Sequence, residues 1–139
     1  MSAAKGRPEP GQALIGFERE VTVERIREYA EASGDHNPVH LDPEYAKTTQ
    51  FGGVIAHGML SMAFVSELMA ANFPETWHRG GTMKLRFRAP VYPGETVSVT
   101  GEVKSVRETE RGAVAQCDVF CVKPGGEEAL TGSVTVPLT

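Results

Sequence analysis

The sequence predicts an α+β domain in which an antiparallel sheet wraps around one long buried helix. Three observations carry that expectation. Apolar residues near the start recur at helical spacing, the run from about 58 to 72 is apolar nearly all round, and from Thr82 onwards the period changes to two. Helices first and strands afterwards is the order of an α+β domain.

Taken in order, residues 1–13 are rich in Pro, Gly and small polar side chains and read as a flexible N-terminal arm, with residues 14–139 forming the domain. Phe17 to Thr22 gives a short extended segment. Thr22 can then cap a helix over 23–32, where Val23, Ile26, Tyr29 and Ala30 fall at helical spacing. Ser33-Gly34 ends it, glycine being the residue that tolerates a left-handed cap. The stretch 35–40 is not expected to be a regular helix, because Pro38 lacks a backbone donor and pushes Asn37 out of the helical region. Asp42-Pro43 restarts a short helix through Ala46, with Asp42 as cap and Pro43 in its first turn. Phe51 to Ile55 forms a turn leading into the long helix. There Met59, Leu60, Met62, Phe64, Val65, Leu68 and Met69 leave no polar face, so the helix should be wrapped on several sides.

After Thr82, Met83, Leu85, Phe87 and Ala89 share one strand face, while Lys84, Arg86 and Arg88 share the other. Turns at 91–95, 110–112 and 124–126 separate three further alternating runs, so an antiparallel meander of consecutive strands is expected. The basic stripe fits a solvated outer sheet face, and it could also meet phosphates or an acidic partner.

The totals exclude several classes. A chain of 139 residues predicts one domain, and 40 % hydrophobic with 23 % charged residues is ordinary for a globular protein. A net charge of -4 argues against a broad nucleic-acid surface. The apolar run contains Ser61, Ser66 and Glu67 and falls short of the ~20 residues that a membrane span requires. No apolar run that would serve as a secretory signal follows Met1. Cys117 and Cys121 share a strand; four residues of strand span about 13 Å, while a disulfide needs Cα atoms within roughly 7 Å. They therefore read as buried thiols suited to a reducing cytoplasm.

Chemistry concentrates in Asp35, Asn37 and His40. Histidine titrates nearest neutrality, and a nearby carboxylate can orient it or act with it. Adding water across an activated double bond needs a group that activates the water and one that delivers a proton. It also needs a donor for the oxyanion that develops, and Gly58 at the start of the long helix offers a backbone N–H with room for close approach. Asp, Asn and Pro are also common turn formers, and the pair taken alone fits turn chemistry as well. His57 reads as structural. The spacing His36 to His40 matches a zinc motif, but that motif needs a helix and a Glu, where this chain has Pro38 and Asn37.

The segments Tyr29-Ala30 and Ser33-Gly34-Asp35-His36-Asn37-Pro38-Val39-His40-Leu41-Asp42-Pro43, then Ala56-His57-Gly58-Met59, then Arg86-Phe87-Arg88-Ala89-Pro90-Val91 resemble the MaoC-like, (R)-specific enoyl-CoA hydratase family. The resemblance implies a hot-dog fold over 14–139 and a homodimer or higher homo-oligomer. It implies reversible hydration of trans-2-enoyl thioesters to (R)-3-hydroxyacyl thioesters of coenzyme A or acyl carrier protein, with no metal or redox cofactor. By the family pattern Asp35 and His40 are the catalytic pair, Asn37 helps hold the site, and Gly58 N–H is the oxyanion donor. Two other functions remain open on the same scaffold: an acyl-thioester hydrolase, and a subunit of a heterodimeric dehydratase. Neither nucleic acid nor membrane is an expected partner, and the expected location is the cytoplasm.

Overall fold

In the computed structural model, which describes residues 7–139, five strands form one antiparallel sheet in the order β1-β3-β4-β5-β2. The strands are β1 (Phe17–Glu20), β2 (Thr82–Phe87), β3 (Thr96–Thr109), β4 (Gly112–Val122) and β5 (Glu128–Pro137). The helices are α1 (Val23–Ser33), α2 (Pro38–Leu41), α3 (Pro43–Lys47), α4 (Gly58–Asn72) and α5 (Trp77–Gly80). The sheet packs on α4, which is the hot-dog arrangement that the resemblance implies.

The two periodicities place the core. Along β4, Ala113, Ala115, Cys117, Val119 and Cys121 alternate inward. All but Ala113 join Val97, Val99 and Val103 of β3, Leu130 and Val134 of β5, and Leu60, Phe64, Val65, Leu68 and Met69 of α4 in one core cluster. Removing each large side chain of this set from water contributes about 1.5–3 kcal/mol. The helix is wrapped on several sides, as the sequence predicts, and one stripe of it stays free. Met59, Ala63, Glu67 and Ala71 recur every fourth residue and form one exposed stripe. Val23 likewise turns outward while Ile26 and Ala30 are buried.

The meander holds for β3, β4 and β5 only. β2 pairs with β5, from Thr82↔Thr135 to Phe87↔Leu130, and so lies at the far edge from β3. The connection 88–95 delivers the chain from that edge to β3 beside β1. Gly94 N–H donates to Val21 O and Val21 N–H to Glu95 O on the way. The connection buries Val91, which supplies the core with a side chain that a tight turn would have left in water.

Within the expected arm, residues 1–6 lie outside the described residues, and 7–13 are docked along β3. Gly11 N–H donates to Val103 O, Val103 N–H donates to Gln12 O, and Ala13 bridges Glu102. An open edge of β3 accounts for this: beyond the short β1, its backbone groups need partners. Cys117 and Cys121 are buried and free, and burial pushes both thiols from the ordinary 9.0 up to about 11. Among the described residues no helix is long and apolar enough to cross a membrane.

Candidate active site

The loop after α1 is shaped by its own side chains. Thr22 Oγ1 accepts from Arg25 N–H at the start of α1, and Gly34, at φ 78°, closes the other end with its N–H on Ala30 O. Asp35 N–H then donates to Ser33 Oγ, and Asp35 Oδ1 accepts from Asn37 N–H at 3.2 Å. Asn37 Oδ1 in turn accepts from Val39 N–H at 3.0 Å, capping α2. Pro38 does not keep the whole segment irregular. It occupies the first position of the one-turn helix α2, where its missing N–H would have had no partner anyway. Asp42 caps α3 by accepting from Glu44 and Tyr45.

This puts His40 on α2 with its ring towards the segment entering α4. His40 Nδ1 donates to Ile55 O at 2.8 Å. A carbonyl oxygen only accepts, so the neutral imidazole carries its proton on Nδ1 and presents a bare Nε2. His57 Nε2 donates to the backbone O of Asp35 at 2.9 Å. The rings of His40 and His57 stack with centroids 3.9 Å apart, and Tyr29 meets His57 edge-on at 5.0 Å. One ligand-type atom from each of Asp35, His40 and His57 falls within 4.8 Å of the others. Asp35 is exposed, His40 half-buried and His57 buried.

The sequence-derived site residues Asp35, Asn37 and His40 are therefore brought together, and Gly58 stands one residue from His57 at the start of α4. Being first in the helix, Gly58 has an N–H with no intrahelical partner. A Cβ there would stand 3.1 Å from the Phe87 ring. Beside it opens an apolar cleft of about 260 Å³, walled among others by Phe51, Ile55, His57, Gly58, Phe87 and Val91. Asp35 and His40 do not line this cleft; His57 belongs both to its wall and to their cluster.

The cleft walls are tied together. Ala56 N–H donates to Val91 O, Tyr92 Oη donates to Phe51 O, and Lys123 Nζ donates to Pro90 O at 2.7 Å. Lys123 also lies 3.4 Å from Glu95 and 3.5 Å from Glu127. His36, the other half of the zinc-like spacing, turns away to Glu31 at 2.9 Å. That bond, with a second to Gly34 O, raises its pKa above the ordinary 6.5.

Among the described residues, those grouped so that they could offer a metal ion ligands are Asp35, His40 and His57, with one nitrogen of each ring already bound to a carbonyl. Sequence reasoning reads His57 as structural and does not single out Lys123. A signal existed for Lys123, which shares the strand parity of Cys117, Val119 and Cys121 and so faces inward. For His57 the signal was only its place in the Ala56-His57-Gly58-Met59 segment.

A family profile described as MaoC like domain matches residues 7–119. The (R)-specific enoyl-CoA hydratase of Aeromonas caviae is 35 % identical over 113 residues, which cover 81 % of this chain and 83 % of that protein. The mitochondrial 3-hydroxyacyl-[acyl-carrier-protein] dehydratase of Arabidopsis thaliana is 33 % identical over 78 % of this chain, and the match spans 64 % of that longer protein. Among solved structures, an (R)-hydratase from A. caviae involved in PHA biosynthesis superposes with a TM-score of 0.83. It is 32 % identical and covers 96 % of this chain and 98 % of its own.

Proposed function

Because this chain belongs to the MaoC-like domain family, we propose that it reversibly hydrates trans-2-enoyl thioesters to (R)-3-hydroxyacyl thioesters, acting as a hydro-lyase. The observation that carries the reading is the clustering of Asp35 and His40, with ligand-type atoms within 4.8 Å of each other, while the Nδ1 bond to Ile55 O leaves His40 Nε2 bare.

In the reaction so read, the acyl part occupies the apolar cleft with its carbonyl at the head of α4. Asp35 and His40 hold a water between them. As the water oxygen adds to C3, His40 Nε2 accepts its proton, and Asp35 stabilises the imidazolium. The electron pair moves through C2 to the thioester oxygen, where the Gly58 N–H and the helix dipole stabilise the negative charge. The enolate collapses and C2 takes the proton back from His40 Nε2. Water is thus added across C2=C3, and dehydration is the reverse. Asn37 keeps Asp35 and α2 in register through its two hydrogen bonds. The balance requires no metal or redox cofactor, and coenzyme A or acyl carrier protein enters as the thioester handle. The free edge at β2 and the exposed α4 stripe support a homodimer or higher homo-oligomer.

The test is stereochemical. The protein is given a four-carbon trans-2-enoyl thioester, and the product is oxidised with dehydrogenases specific for each 3-hydroxyacyl enantiomer. Oxidation by the (R)-specific enzyme is expected; an (S) product would overturn the reading.

A further inference from the structure

We propose that His57 is the positioning residue of the acid–base pair. As its neutral Nε2–H tautomer it holds the Asp35 backbone by a hydrogen bond and the His40 ring by its face. This rests on the hydratase reading of the same site.

Asp35 follows Gly34 in an exposed loop, and its contacts with Ser33 and Asn37 stay inside that loop. They give the loop its shape without fixing it to the body of the protein. Among the described residues, the hydrogen bond from His57 is the one that ties Asp35 to the segment leading into α4. His40 is held from the same segment. Ile55 O fixes its Nδ1 and the His57 ring lies 25° from parallel against it. Two alternate residues, Ile55 and His57, thereby set both halves of the pair, one by its carbonyl and one by its ring.

Structural roles do not account for a histidine here. His57 is the N-cap of α4, yet its side chain makes no capping bond. A residue that only filled the space would be apolar, whereas His57 is 2 % exposed and keeps a buried Nδ1 with no partner. A buried nitrogen without a protein partner calls for a demand that fixes the ring. The donor at Nε2 is that demand: with the proton there, Nδ1 is the bare acceptor left over.

Two variants separate donor from ring. His57→Gln places an amide N–H near the position of Nε2, while His57→Phe keeps an aromatic face and removes the donor. Steady-state hydration by His57→Phe should show kcat lower by on the order of 10²-fold, with KM within about threefold of the parent. His57→Gln should keep kcat within about tenfold. Equal losses in both, an unchanged kcat in His57→Phe, or a loss confined to KM would each overturn the proposal. Should His57→Phe fail to fold, a loss of about 10²-fold in His57→Gln overturns it alone.

Nitrogen-15 imidazole spectra of the unaltered protein at neutral pH supply a readout that needs no substrate. A slowly exchanging proton on His57 Nε2 is expected, and the Nδ1–H tautomer would overturn the inference. An inactive protein that shows the Nε2–H tautomer would remove the hydratase reading and leave the contact standing. An active one with the other tautomer would remove this inference alone.

Discussion

The imidazole of His40 lies face to face on that of His57, ring centroids 3.9 Å apart, while its Nδ1 donates to Ile55 O. One ring nitrogen is thus occupied and the ring plane is fixed, so His40 has a single nitrogen free for proton transfer. That is the geometry a general base requires.

Replacing either member of the pair should affect turnover far more than stability. Asp35→Asn keeps an oxygen for the Asn37 N–H but loses the charge that steadies an imidazolium. Its kcat should fall by about 10²- to 10⁴-fold, and His40→Ala should fall within the same range. Because Asp35 is exposed, its thermal midpoint should stay close to the parent's, as read by circular dichroism.

Gly58→Ala tests the helix terminus. The added methyl meets Phe87 Cε1 at 3.1 Å, and Phe87 is half exposed, so its ring can swing aside. The fold should therefore tolerate the change, as alanine is the better helix former. The methyl nonetheless stands where a thioester oxygen would approach the backbone, so kcat/KM should fall by about tenfold or more at unchanged stability.

Lys123→Met tests what holds the cleft wall. The ammonium is buried between Glu95 and Glu127 and donates to Pro90 O, and its loss leaves that carbonyl and Glu95 without their cation. Denaturant unfolding should show a loss of about 1–3 kcal/mol. A variant as stable as the parent would remove this role.

The fold was largely readable in the sequence because its periods are pure. Residues 58–72 show no polar face, and β4 alternates without a break. The placement of β2 beside β5 was not readable. Strand parity says which face is buried and nothing about which neighbour a strand chooses. Of the site, Asp35, Asn37 and His40 stood out by chemistry and by the family pattern. His57 did not, because its role depends on a contact 22 residues away in the chain. Pro38 was misjudged for a local reason, since proline breaks a helix interior but suits its first position.

Both cysteines should resist thiol reagents until the protein unfolds, for they are buried and held as thiols. The raised values carry a sign for stability. The folded state binds these protons more tightly than the unfolded one, so the contribution is complete below the unfolded thiol range. It is lost as pH rises from there through about 11. Denaturant midpoints measured up this range should fall. Cys117→Ala with Cys121→Ala should flatten the decline.

The most direct test of the account follows one reaction by two signals, the enoyl-thioester absorbance and the release of free thiol. With the unaltered protein and a trans-2-enoyl thioester, the absorbance should disappear with no thiol released, and His40→Ala should abolish that loss. Thiol release with the double bond intact would contradict the account, making this scaffold a hydrolase and leaving Asp35 and His40 without the role assigned to them.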